Sequence, residues 1–170
     1  MMVNRMSFVT LIIDALKFIF PAYCANAAPV LAGGGTAIDF GKKFFDGKPV
    51  FGRNKTFRGF FAGFAVGLFV GLVETCMFGW FPIQFSLLSP LGALIGDLAG
   101  AFAKRRLSIP PGGLLPVVDQ VDFVLGALLF VFPFVAVSWQ LALTVLLITP
   151  PVHLLTNFVA YKLGLKRNPW

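Results

Sequence analysis

Charge is what this sequence has least of. Only 12% of its 170 residues are Asp, Glu, Lys or Arg, and seven are acidic. Soluble globular chains carry about twice that charged share, so an ordinary soluble domain is excluded. Cysteine is nearly absent too. Cys24 and Cys76 both lie in apolar runs without metal-ligand spacing, which argues for small buried thiols and against a zinc site or a disulfide framework. The single histidine, His153 in TPPVHLLTNF, has no carboxylate or cysteine beside it in sequence and reads as a packed helix residue. No Ser/His/Asp or Cys/His arrangement points to a covalent nucleophile. Strand alternation never persists long enough for a β-barrel, and there is no internal repeat.

What remains is apolar: 58% hydrophobic residues, 21 phenylalanines and a mean hydropathy of +0.86. The ANA before Ala28 has the look of a signal-peptidase site, but the rest of the chain is equally hydrophobic and cleavage is rejected. A helix needs about 20 mostly apolar residues to cross a bilayer. Five segments meet or approach this: 7–30, 59–80, 84–103, 120–138 and 140–162, punctuated by GGG at 33–35, FP at 81–82, PPGG at 110–113 and Trp139-Gln140. The expectation is an all-α integral membrane protein, one domain over 1–170, with loops at 31–58 and 104–119.

The cations decide the orientation. Lys42, Lys43, Lys48, Arg53, Lys55 and Arg58 precede span two; Lys104, Arg105 and Arg106 follow span three; Lys162, Lys166 and Arg167 follow span five. With five spans these twelve fall on one side, against Arg5 alone on the other. The positive-inside rule then predicts the N-terminus outside and the C-terminus in the cytoplasm. Asp14 and Lys17 interrupt span one at a spacing that lets them pair on one face.

Ionisable groups within spans are costly, so each is a functional candidate. Asp97, in LGALIGDLAGAFA, lies about two turns before Lys104. Asp119 and Asp122 open span four on one face at the same cytoplasmic level. Three carboxylates at one height, with no cation beside them in the membrane, would repel one another. A hard divalent cation such as Mg²⁺ relieves this by joining carboxylates to substrate phosphates. The plainer alternative is that Asp119 caps its helix and Asp122 pairs with Arg105 or Arg106.

A second cluster, FGRNKTFRGFFAGF at 51–64, crowds Arg53, Asn54, Lys55, Thr56 and Arg58 at the entrance of span two. It reads either as a positive-inside anchor with Thr56 as N-cap, or as a phosphate site on a helix start. Two basic clusters and a carboxylate trio on one side suggest a metal-bound polyphosphate. Intervening spans separate the clusters, unlike a nucleic-acid-binding stripe. Asn26, in PAYCANAAPVL, suits either interhelical hydrogen bonding or ligand contact, and Glu74 reads as facing the outer interface. GGG lacks the Lys-Ser/Thr ending of a phosphate-binding loop.

PAYCANAAPVL, GGGTAIDFGKKFFDGKPVFGRNKTFRGF and GALIGDLAGAFAKRRLSIPPGGLLPVVDQVDFVLGALLF, in this order over roughly residues 21–130, resemble the archaeal CDP-archaeol synthases. These are CTP-dependent cytidylyltransferases related to the CDP-diacylglycerol synthases. The resemblance implies an integral membrane, Mg²⁺-dependent enzyme with CTP and an unsaturated isoprenoid ether lipid phosphate, of the digeranylgeranylglycerol phosphate type, as substrates. CDP-lipid and pyrophosphate are the implied products. It further implies that Asp97 of the GD motif and Asp119 and Asp122 of DxxD hold Mg²⁺ and the triphosphate. Lys55, Thr56 and Arg58 of KTxRG, and Lys104 with Arg105, would contact phosphates, and Asn26 would meet a ligand. The Lys-Asp and His-Gly-Gly arrangement of the bacterial relatives is missing after KRRL, so no histidine role is expected in that loop.

The lipid phosphate is itself an oxyanion, so the implied reaction needs positioning and charge stabilisation rather than a protein nucleophile. Two rivals fare worse. A CDP-alcohol phosphotransferase has a different aspartate spacing, with Gly rather than Leu98 after its first Asp. A small transporter or channel would spread polar residues across the membrane instead of gathering them at one side.

Overall fold

The computed structural model describes residues 7–166, 168 and 169; Arg5 and Arg167, used above for orientation, lie outside them. Five helices follow in order: α1 (Phe8–Leu31), α2 (Phe57–Phe78), α3 (Ile83–Arg106), α4 (Val118–Val131) and α5 (Trp139–Lys162). Among the described residues the only β-pairing is two isolated bridges in the α1–α2 loop. The all-α membrane fold is borne out, and α1, α2, α3 and α5 are each long and apolar enough to cross a bilayer.

The fourth expected span is shorter than 120–138. Helix α4 has 14 residues and rises only about 21 Å, against about 30 Å of hydrocarbon. Pro133 lies two residues past its end and has no N–H to extend the ladder. The chain continues through a turn to Ser138, whose hydroxyl caps α5 by accepting from Leu141 N at 3.2 Å.

Glycine sets the helix spacing. Gly59, Gly63, Gly67 and Gly71 recur every fourth residue, so they line one face of α2. A methyl group on Gly63 would lie 2.5 Å from the Ala25 carbonyl, and one on Gly67 2.5 Å from Pro90 Cβ. On α3, Gly92, Gly96 and Gly100 form the matching stripe toward α4: a Cβ on Gly92 would lie 2.5 Å from the Gly126 carbonyl. These helices meet backbone to backbone, the close approach that small residues permit within a membrane. Helix α3 packs on α1, α2 and α4, while α5 packs on α1 and α4.

Phe18, Phe81 and Phe85 form an aromatic knot toward one end of the bundle, with centroids 4.1–5.9 Å apart. Tyr23 ties α1 to α5 through a 2.9 Å hydrogen bond with Thr149. Phe61, Phe69, Leu129, Leu147 and Leu155 point outward from the bundle, as a hydrocarbon-facing belt requires.

Two expectations are corrected here. Cys76 is exposed, on the side of α2 away from its glycine stripe, and only Cys24 is half-buried. Glu74 does not face an interface: it is 3% exposed, and its Oε2 has no hydrogen-bond partner. The Asp14–Lys17 pair forms at 3.6 Å, with Lys17 also over the Trp80 ring.

The loop from Ala32 to Thr56 is ordered by a carboxylate that sequence reasoning passed over. Asp39 is buried and accepts from the backbone N–H of Gly41 (3.0 Å), Phe51 (2.9 Å) and Gly52 (2.7 Å). Burial alone would raise its pKa, but these hydrogen bonds outweigh it and hold Asp39 below the usual carboxylate value. Arg106 ties the same loop to α3. It pairs with Asp46 at 2.6 Å, donates to the carbonyls of Lys48 and Pro49, and lies over the Phe44 and Phe102 rings.

Candidate active site

A cavity of about 1290 Å³ opens where the end of α1, the starts of α2 and α4, the end of α3 and the second half of α5 converge. Asn26, Lys55, Thr56, Asp97, Lys104, Arg105, Asp119 and Asp122 all line it. Residues from three helices and the loop that leads into α2, up to 96 positions apart in the chain, thus share one space. Arg58 is the exception. It is exposed and absent from the lining, and its Cβ packs under Gly35, 3.1 Å from where a glycine Cβ would stand. Its neighbours Arg53 and Asn54 line the cavity instead.

The three carboxylates converge, but two of them have cationic partners. Lys55 Nζ donates to both oxygens of Asp97 at 2.6 Å. Lys104 Nζ stands 2.9 Å from both oxygens of Asp119, whose Oδ2 also accepts from Leu115 N at 3.0 Å. The expected absence of nearby cations is therefore corrected: lysines from the α1–α2 loop and from α3 reach across to the aspartates. Asp122 accepts only from Phe123 N, at 2.6 Å, and feels Asp97 most strongly among nearby charges, then Lys55 and Asp119. It pairs with neither Arg105 nor Arg106.

Local folding puts these groups in place. Thr56 is the α2 N-cap, its hydroxyl accepting from Gly59 N at 3.1 Å, so the expected cap forms at a residue that also lines the cavity. Pro110–Gly113 closes a turn through a 2.8 Å Gly113 N to Pro110 O hydrogen bond, with Gly112 at φ +88°. Val117 then adopts φ +67°, ψ −52°, and Val118 N donates to Pro116 O at 2.8 Å, a strained γ-turn directly before Asp119. Gly100 makes room for Asp122: a Cβ there would overlap the carboxylate Oδ2, and one on Gly96 would overlap the Asp122 carbonyl.

Arg105 is the most telling side chain. It is 4% exposed and donates from Nη2 to Pro110 O at 3.2 Å, while Nε and Nη1 are buried without a partner. Buried guanidinium donors seldom go unsatisfied, which points to an anion that completes them.

No group of three His, Cys, Asp or Glu side chains close enough to hold a metal forms among the described residues. The donor set still fits a hard divalent ion, because Mg²⁺ is commonly held by one or two carboxylates plus substrate phosphates. Asp97 and Asp122 supply two such carboxylates in one cavity.

A family model described as CarS-like, CDP-archaeol synthase, matches residues 8–170. The chain belongs to this family. It is 43% identical to the CDP-archaeol synthase of Pyrococcus furiosus over 164 residues, 94% of this chain and 98% of that one. It is 37% identical to that of Methanocaldococcus jannaschii over 181 aligned positions, 96% of this chain and 99% of that one. A solved structure, described as an intramembrane enzyme for archaeal membrane lipid biosynthesis, superposes with a TM-score of 0.79 at 37% identity. That match covers 86% of this chain and 94% of the other.

The α5 wall of the cavity corrects a further expectation. His153 and Asn157 line it, although the histidine was expected to be merely packed, and Lys166 joins them. Their signal in sequence was a polar pair four residues apart within an apolar helix, which puts both on one face.

Proposed function

We propose that this membrane enzyme transfers the cytidylyl group of CTP to an unsaturated archaeal ether lipid phosphate, giving a CDP-archaeol-type lipid and pyrophosphate. The observation that carries the proposal is Arg105. A buried guanidinium with two unsatisfied nitrogens faces a cavity that also holds two lysine–aspartate pairs and an unpaired aspartate. The arrangement suits a polyphosphate entering with a divalent cation.

In this reading Asp97 and Asp122 hold Mg²⁺, and Asp119 orients Lys104. Bound Mg²⁺ would neutralise phosphate charge and polarise the α-phosphoryl group. The triphosphate would draw Lys55 and Lys104 from their carboxylates and complete the donors of Arg105, with Arg53 and Thr56 at the same wall. Asn26 would contact a ligand from the end of α1. A lipid phosphate oxygen then attacks the α-phosphorus in line. A new P–O bond forms, the bond to the β-phosphate bridging oxygen breaks, and its electron pair leaves with pyrophosphate. The attacking group is already anionic, so the chain's own residues supply orientation and charge rather than a base. The cavity would face the cytoplasm, where CTP is found.

The test is an assay in detergent with labelled CTP, Mg²⁺ and an unsaturated ether lipid phosphate. CDP-lipid should form, cease on chelation with EDTA and return with added Mg²⁺. Folded protein that makes no CDP-lipid under these conditions would sink the reading.

A further inference from the structure

The proposed reaction brings two anions together, and the carboxylates, Lys55, Lys104 and Arg105 account for only one. The cavity, at about 1290 Å³, exceeds the 300–1,000 Å³ usual for a single small ligand. A further wall is made by α5 and the residues after it. Val152, His153, Asn157 and Ala160 are the half-buried face there, while Leu154, Leu155, Phe158 and Val159 point outward. On this wall Lys166 Nζ donates to Asn157 Oδ1 at 2.9 Å, and the Asn157 amide nitrogen lies 3.1 Å from His153 Nδ1.

This wall differs in chemistry from the rest of the site. None of the residues that α5 and the following segment contribute to the lining is acidic. They offer an ammonium, a carboxamide N–H and an imidazole, all donors suited to a phosphate monoester. Burial, then the nearby Lys55, keeps Lys166 below the usual lysine pKa, with Asp119 opposing and Lys104 adding to the effect. An ammonium affected in this way stands close to the catalytic charges and favours an incoming dianion. The same cavity is apolar beside this wall, where Leu16 and Phe20 of α1 stand with Val152 of α5. A ligand placed here meets donors at its head and hydrocarbon along its tail.

We infer that His153, Asn157 and Lys166 form the binding site for the phosphate of the lipid acceptor, on the α5 side of the cavity. This deepens the proposed reaction and rests on it.

The experiment compares wild type with Lys166→Met, Asn157→Leu and Lys166→Arg. It measures KM for CTP and for the ether lipid phosphate. It also measures calorimetric binding, without CTP or metal, of the ether lipid phosphate and of the matching unphosphorylated ether lipid alcohol. Lys166→Met and Asn157→Leu should raise the KM and Kd for the lipid phosphate about tenfold or more, the scale of lost charged hydrogen bonds. The KM for CTP should stay within about twofold, and Lys166→Arg should recover most of the affinity. Alcohol binding should not change. A raised KM for CTP with unchanged lipid phosphate binding would overturn the inference, as would equal loss of phosphate and alcohol binding. Wild-type protein that binds the lipid phosphate through Lys166 yet makes no CDP-lipid would overturn the proposed reaction and leave this site standing.

Discussion

Asp97 and Asp122 line the same cavity but have different surroundings. Asp97 is bonded through both oxygens to Lys55, and Asp122 has only a backbone N–H. Replacing either with Asn keeps the shape and removes the charge that a metal and a triphosphate would use. Turnover should fall about 100-fold or more in each variant, while the protein still extracts as a folded species by size-exclusion chromatography. Retained activity in both would return the aspartates to a structural role. Asp39 is a residue of another kind, because its work is to hold the loop. Its native pKa lies below the unfolded value, so its stabilisation is present above about pH 4 and lost as pH falls through the native value. Thermal unfolding in detergent should show an acid step in wild type that shrinks in Asp39→Asn. Asp39→Ala should cost about 2 kcal/mol or more at neutral pH by orphaning backbone donors. Asp97 was legible from sequence because an acid amid Gly and Ala in a span needs a reason. Asp39 was not, since a loop aspartate has no periodicity to mark its burial.

Among the elements, the α3–α4 contact matters most for the site. Gly96 and Gly100 allow α4 to approach until the Asp122 backbone and carboxylate occupy the space a side chain would fill. Gly100→Ala should therefore displace Asp122, lower activity as strongly as Asp122→Asn, and destabilise the fold by about 1–3 kcal/mol. Gly34→Ala meets nothing within 4 Å and serves as the comparison, though its φ of +83° carries a local backbone strain of its own. If Gly100→Ala has normal turnover, the close contact does not position the aspartate. Sequence placed all five helices within a few residues, because length and hydropathy suffice for that. It overran α4, where an apolar run continues past Pro133 although the helix does not. The glycine spacing was visible in the chain, but which neighbour each glycine admits was not.

At the scale of the molecule, the segment 42–58, the end of α3 and the segment from Lys162 on carry twelve of the fourteen Lys and Arg residues, and the positive-inside rule predicts that they face the cytoplasm. In a background with Cys24 and Cys76 changed to Ser, Lys43→Cys should resist a membrane-impermeant maleimide in intact cells and react after permeabilisation. Labelling in intact cells would reverse the proposed topology. Composition by itself determined that the chain is helical and lies in a membrane. So few charges cannot cover so much apolar surface in water, and buried backbone in lipid must satisfy its own hydrogen bonds. Sequence order also determined which motifs carry the charge. Only the tertiary structure decided which charges meet. It paired Lys55 with Asp97 and Lys104 with Asp119, turned Arg58 away and brought His153 in. Such choices depend on how closely five helices approach and on which way each is rotated. Both are set by contacts between residues distant in the chain, and no local pattern records those contacts.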